Sequence, residues 1–181
     1  MKNSTSNHKK ISYLPHLNLI GYHQFITFRT YESLDEYIKK LSQIDISNSK
    51  KQYLIDKYLD KSAKGNYLNG DILDFMYNFL LSKDKEIYEI ISFVIMSNHI
   101  HLLLKPLINL DKMMRIIKGG SAYNINKMLN SKGKFWANNY YDRAIRDEEH
   151  FFRVYDYIKN NCLKIDSLRD EFPSRFYGIY E

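Results

Sequence analysis

His99 and His101 stand one residue apart in the segment HIHLLLK. On a strand, residues i and i+2 point to one face, so both imidazoles project together while Ile100, Leu102 and Leu104 face the other way. Two neighbouring imidazoles can hold a divalent metal, or act as one ligand and one general base. The plainer alternative is a pair of half-exposed surface histidines. The apolar flanks favour chemistry, because they set two polar rings at the edge of a core, where a polar group needs a partner. A second feature lies near the C-terminus. Phe151, Val154, Tyr155, Ile158 and Cys162 form a helical apolar stripe. Tyr157 lies off its centre, with Asn161 one turn further along the same flank. A phenol and an amide are thus presented together beside a buried face. The chain has 16 tyrosines, so composition alone does not separate a nucleophile from a packing residue.

The elements that must position these groups read as α+β. Residues 22–30 are aromatic and β-branched and predict a strand, with Phe25, Thr27 and Arg29 on one face and Gln24, Ile26 and Phe28 on the other. Ser33 and Glu36 make a capping box before Leu34, Tyr37, Ile38 and Leu41 at helical spacing. Helices follow over 49–59 and 71–81. Residues 87–96 predict a strand, Ser97-Asn98 a turn, and 99–105 a strand pairing back until Pro106. A long helix covers 110–129, with Gly119-Gly120 marking a close backbone approach. Short strands are expected over 134–137 and 141–145, and a helix capped by Asp147 over 148–161. Helices alternating with antiparallel strands argue α+β. The expected organisation is a flexible terminus over 1–12, one domain over 13–170 with 33–82 as a helical insertion, and a tail over 171–181.

The chain has 181 residues, 44% hydrophobic and 15% aromatic, with a net charge of +6. That is enough for a core without staples and too apolar for disorder. The single Cys162 excludes a disulfide framework and a Cys-rich zinc site. No apolar run approaches the ~18 residues of a membrane span. The polar first ten residues do not read as a signal peptide, so the expected location is cytoplasmic. The basic excess is concentrated: residues 105–153 hold ten Lys and Arg against five acids, a local +5. Aromatic residues lie among them, including Tyr123, Trp136 and Tyr141. Cations for phosphates and flat rings for unpaired bases are the mix that binds single-stranded nucleic acid. Solvated helix faces over a core explain the same charges equally well.

Taken in order, YHQFITFRT, FVIMSNHIHLLLKP, IIKGGSAYNINK, GKFWANNYYDRAIRDEEH and YDYIKNN resemble the single-tyrosine HUH transposases, most of all the REP-associated tyrosine transposase branch. The second segment is similar to that branch's VMPNHVHLL signature, with Ser97 in place of Pro. The resemblance spans roughly residues 15–165. It implies a ferredoxin-like antiparallel sheet flanked by helices. His99 and His101 would bind Mg²⁺ or Mn²⁺, and Tyr157 would be the catalytic tyrosine. Asn161 falls where relatives carry a Gln that completes the metal site. Asn is one methylene shorter, so direct ligation and a water-mediated contact are both open, and Cys162 stands where an NP motif has Pro. The implied reaction is metal-dependent cleavage and rejoining of single-stranded, hairpin-containing DNA through a 5′-phosphotyrosine, as in DNA transposition. Lys118 is the expected phosphate contact, with Tyr123, Trp136 and Arg143 as further DNA contacts. The implied setting is the nucleoid, without a membrane. Some relatives exchange the tyrosine helix in a homodimer and others act as monomers. The helices of 33–82 read as added scaffold. Two other classes compete: a nucleic-acid-binding module without chemistry, which leaves the paired histidines unexplained, and a water-activating metal hydrolase, which needs further ligands.

Overall fold

The computed structural model describes residues 19–33 and 36–180, the Ser42 side chain excepted. The terminus over 1–12 and the Leu34 position of the first helix lie outside the described residues. Five strands form one sheet in the order β4-β1-β3-β2-β5, and every pairing is antiparallel. They are β1 (Gln24–Arg29), β2 (Tyr88–Ile95), β3 (His99–Pro106), β4 (Tyr141–Ala144) and β5 (Phe176–Gly178). Between β1 and β2 run α1 (Glu36–Gln43), α2 (Asn48–Leu59) and α3 (Gly70–Ser82). α4 (Leu110–Met128) joins β3 to β4, and α5 (Glu148–Lys159) follows β4. The order 4-1-3-2 of the first four strands is that of a ferredoxin-like sheet.

The period-two reading of β1 and β3 holds. Ile26, Phe28, Ile100, Leu102 and Leu104 share one core with α3 and α4, through Met76, Leu80, Met113 and Ile117. Phe25 and Leu103 share the opposite core with α5, through Val154, Tyr155 and Ile158, and with Cys162 in the 3-10 turn that follows it. His99 and His101 are on the α5 side by the same alternation. A register shift between Ile90 and Ser92 turns Ile91 and Val94 to the α5 core while Ile90 and Phe93 stay on the other.

Some local expectations differ. The Ser33 hydroxyl donates to the Thr30 carbonyl at 2.8 Å within a 3-10 turn. Residues 134–137 are not a strand: Trp136 makes one isolated bridge to Thr30, because its ring is drawn into the core against Phe28. At Gly120, a Cβ would lie 3.1 Å from Phe79 Cζ, the close approach expected there between α4 and α3.

Residues beyond 170 also build the sheet. α6 (Asp166–Arg169) and α7 (Phe172–Arg175) lead into β5, which pairs with β2. Arg175 is fully buried. Its guanidinium donates to the carbonyls of Leu68 (3.1 Å) and Ile95 (2.9 Å), to Asn69 Oδ1 (2.6 Å) and to Glu171 Oε2 (2.8 Å). One side chain thus ties α7 to the start of α3 and the end of β2. Arg175→Ala leaves the buried Leu68 and Ile95 carbonyls without this donor, so a loss of about 2–5 kcal/mol is expected in a denaturant melt.

Candidate functional site

The two imidazoles are fully buried, not half-exposed. Their Nε2 atoms are 3.1 Å apart. Each Nδ1 has its own partner: Asn98 Oδ1 at 2.7 Å for His99 and Thr27 Oγ1 at 2.8 Å for His101. Asn98 Oδ1 can only accept, so His99 carries its proton on Nδ1 and turns the Nε2 lone pair inward. Thr27 is the cross-strand neighbour of His101 in the β1–β3 register. Phe25 stacks on the His101 ring at 5.6 Å. Burial first, and then the Arg29 guanidinium, hold His99 down to about 3. Burial, followed by His99 and Lys164, holds His101 well below the ordinary range. Both rings are therefore neutral, the form that ligates metal.

α5 brings Tyr157 to this pair within one chain. Its ring lies 5.2 Å from the His101 ring, and its hydroxyl donates to Asp56 Oδ2 at 3.1 Å. Burial first, then the charge of Asp56 and this hydrogen bond, raise the phenol above its ordinary pKa. Asn161, one turn on, is buried, and its Nδ2 has no hydrogen-bond partner among the described residues. It lies near enough to the phenol oxygen to act, weakly, in the opposite direction.

Asp56 belongs to α2, in the segment expected to be scaffold. Its carboxylate and both imidazoles offer ligand atoms within 4.8 Å of one another. Gln52, one turn earlier, donates to Asp56 Oδ1 at 2.6 Å. Asp60, one turn later, lies 3.7 Å from His99 Nε2, and its Oδ1 has no hydrogen-bond partner among the described residues. Burial drives Asp56 up to about 7, against the hydrogen bonds from Tyr157 and Gln52. Burial raises Asp60 to about 6, against Lys164. Asn98 joins the halves of the site: its Nδ2 donates to the carbonyls of Leu59, Ser62 and Lys64 at 3.1–3.3 Å, while its Oδ1 orients His99. Gly65, at φ +70°, lets the loop after α2 lie against β1, where Thr30 Oγ1 donates to its carbonyl at 3.1 Å. The donor set fits a divalent cation: neutral imidazoles, at least one carboxylate, and buried polar atoms otherwise unpaired. The signal for Asp56 and Asp60 was their i, i+4 spacing with Gln52 before them, but such a stripe ordinarily marks a solvated face.

The expected DNA contacts separate. Arg143 lines a groove with Asp56 and Tyr157. Lys118 and Trp136 line a different one, between α4 and residues 133–140, on the opposite sheet face from the histidines. The Lys118 ammonium donates to the carbonyls of Ala137 (2.7 Å) and Asn138 (2.8 Å). Burial, and then Arg29, lower it to about 8. Trp136 is 5% exposed and donates from Nε1 to Ser121 Oγ at 2.9 Å, so its faces are occupied by the core. Tyr123 is 73% exposed on α4. The concentrated charge of 105–153 is thus divided between two faces of the sheet. No helix among the described residues is long and apolar enough to cross a membrane.

A family model described as IS200-like transposase matches residues 54–161, more than half of the chain, beginning inside α2. No curated protein matches the sequence. Among solved structures, a REP-associated tyrosine transposase bound to a REP hairpin is similar at 15% identity and a TM-score of 0.50, over 85% of this chain and 74% of that one. A candidate transposase from Deinococcus radiodurans R1 is similar at 16% identity and a TM-score of 0.44, over 88% of this chain and 97% of that one.

Proposed function

Because the chain belongs to the IS200-like transposase family, we propose that it cuts and rejoins single-stranded DNA with Tyr157 as the nucleophile. The observation that carries this reading is the meeting of the Tyr157 hydroxyl with the His99–His101–Asp56 cluster inside one chain. In the proposed reaction, the Tyr157 oxygen attacks phosphorus and the 3′ oxygen leaves. The 5′ side stays linked to the phenol, and the phenol proton leaves to solvent. The 3′ oxygen takes its proton from solvent. The phosphodiester energy is kept in the tyrosyl ester, so a 3′-hydroxyl can reverse the step and rejoin DNA.

Tyr157 needs assistance. Its phenol is half-buried beside two carboxylates that oppose the phenolate. His99, His101 and Asp56 would hold Mg²⁺ or Mn²⁺, with Asp60 and Asn161 as neighbouring oxygen donors. A bound ion supplies Lewis-acid polarisation of the scissile phosphate. Thr27 and Asn98 fix the imidazole orientations, and the Phe25 ring excludes water from one face of His101. The similar hairpin-bound transposase suggests a hairpin-bearing strand as the substrate. In the cell this chemistry would serve DNA transposition.

The test is incubation with end-labelled, hairpin-bearing single-stranded DNA and Mn²⁺, resolved on a denaturing gel. A covalent protein–DNA adduct is expected. Cleavage without an adduct would instead indicate a water-activating hydrolase, and binding without cleavage under several divalent metals a passive module.

Metal affinity should depend on pH through Asp56. Its folded pKa lies above the ordinary carboxylate value, at about 7, and the ligand form is the ionised one. Affinity is therefore full above that value and falls about tenfold per pH unit below it. Proton competition from His99 is absent until near pH 3. Calorimetric Mn²⁺ titrations between about pH 5.5 and 8 check this, and constant affinity down to pH 6 would remove Asp56 from the ligand set.

A further inference from the structure

A groove of about 360 Å³ is bounded by α2 on one side and by β4 and α5 on the other, and it reaches Tyr157. Tyr53, Tyr141, Arg143, Arg146 and Arg153 line it, with Asp56 shared with the metal cluster. Three guanidiniums converge there around one imidazole. The His150 ring on the same wall is held below its ordinary pKa by burial first, then by Arg143 and Arg146, with Arg153 adding to them and Asp147 opposing. Glu149 lies 3.4 Å from Arg153 at the exposed rim. Among the described residues, Arg143 and Arg146 form no ion pair. Converging cations that no carboxylate pairs repel one another, and a polyanion relieves that repulsion for Arg143 and Arg146. Guanidinium forks match phosphate oxygens in pairs. Tyr53, 57% exposed on α2, adds a free aromatic face, and such faces stack on unpaired bases.

We propose that this groove seats the phosphates of the unpaired DNA strand that adjoins the scissile phosphodiester, with Arg143 and Arg146 as its main contacts and Tyr53 as a base-stacking platform. The proposal rests on the nicking reading above and adds to it the route by which substrate reaches Tyr157. α2 is then one wall of the substrate channel as well as the source of Asp56. The cations of α4, Lys112, Arg115 and Lys118, lie across the sheet and do not reach the nucleophile. Strand phosphates stay with the arginines, because the Asp56 carboxylate repels them.

The test uses the full chain carrying Tyr157→Phe, so that no covalent product forms, and a fluorescein-labelled unstructured oligonucleotide in EDTA. Anisotropy is followed from about 50 to about 300 mM NaCl. Arg143→Ala with Arg146→Ala should weaken binding at least tenfold and reduce the slope of log K against log salt by about 1.4, since each single-strand phosphate contact contributes about 0.7. Arg143→Lys with Arg146→Lys should keep the slope, which separates charge from folding. Lys112→Ala with Arg115→Ala should change affinity less than about twofold. Unchanged binding and slope in the groove double-alanine variant would overturn the proposal. So would a duplex of the same sequence, or an oligoglutamate, competing as well as the single strand. An adduct formed by the parent protein alongside unchanged binding in the groove variants would sink the groove and leave the nicking reading standing. Lost binding in those variants with no adduct under any divalent metal would do the reverse.

Discussion

Tyr157→Phe is expected to abolish the protein–DNA adduct, by a factor of about 10³ or more, since loss of a covalent nucleophile leaves only binding and electrostatics behind. The substitution removes one oxygen and keeps the ring that packs edge-on against His101 and Phe25. Folding is therefore preserved, and a thermal melt should move by about 1–3 kcal/mol, because the buried Asp56 Oδ2 loses its donor. Mn²⁺ affinity should stay within about threefold, because the ligand atoms of His99, His101 and Asp56 are untouched. An adduct that survives the substitution would place the nucleophile on another residue.

Asp56→Asn should move two measurements in opposite directions. Mn²⁺ affinity should fall at least about 10–100-fold, the loss already typical of partners one shell further out. Stability without metal should rise at pH 8. The sign follows from linkage: the folded carboxyl titrates at about 7, above its unfolded value, so the native state binds more protons. The contribution of Asp56 to stability is fully present below the unfolded value and is lost as pH rises through about 7. Its amide carries no such loss, so the metal-free variant should exceed the parent by up to about 4 kcal/mol at pH 8 and match it near pH 4. Calorimetry and denaturant melts at the two pH values check both parts. Weaker metal binding without the stability gain would mean that Asp56 is not strained in the metal-free protein. The gain without weaker binding would assign the ligand role elsewhere, with Asn161 the next oxygen to test.

Several parts of this molecule were legible in its sequence because they depend on periods within one element. Alternation along 99–105 placed both imidazoles on one side of β3 and Ile100, Leu102 and Leu104 on the other. The stripe of Phe151, Val154, Tyr155 and Ile158 set which side of α5 is buried, and hence that Tyr157 and Asn161 share a flank. The five ordered motifs pointed to the family that the match over 54–161 shows. Amphipathic reasoning failed where a polar face turns inward. Gln52, Asp56 and Asp60 look like the solvated side of a helix, yet the docking of α2 by Asn98 and Gly65 makes that side a wall of the His99–His101–Asp56 cluster. The reverse happened at Trp136, whose basic surroundings suggested an open stacking surface while Phe28 and Ser121 enclose its ring.

The sequence by itself determined which side of its own element each residue of the site occupies, since backbone geometry repeats every 2 or 3.6 residues whatever lies nearby. Only the tertiary structure decided which faces meet: α2 against the histidines, Arg143 beside Tyr157, and Lys118 on the far side of the sheet. Those meetings join residues as far apart as Asp56 and Tyr157, 101 positions along the chain. They are set by the packing of two cores and a few buried polar bonds, which no local period encodes.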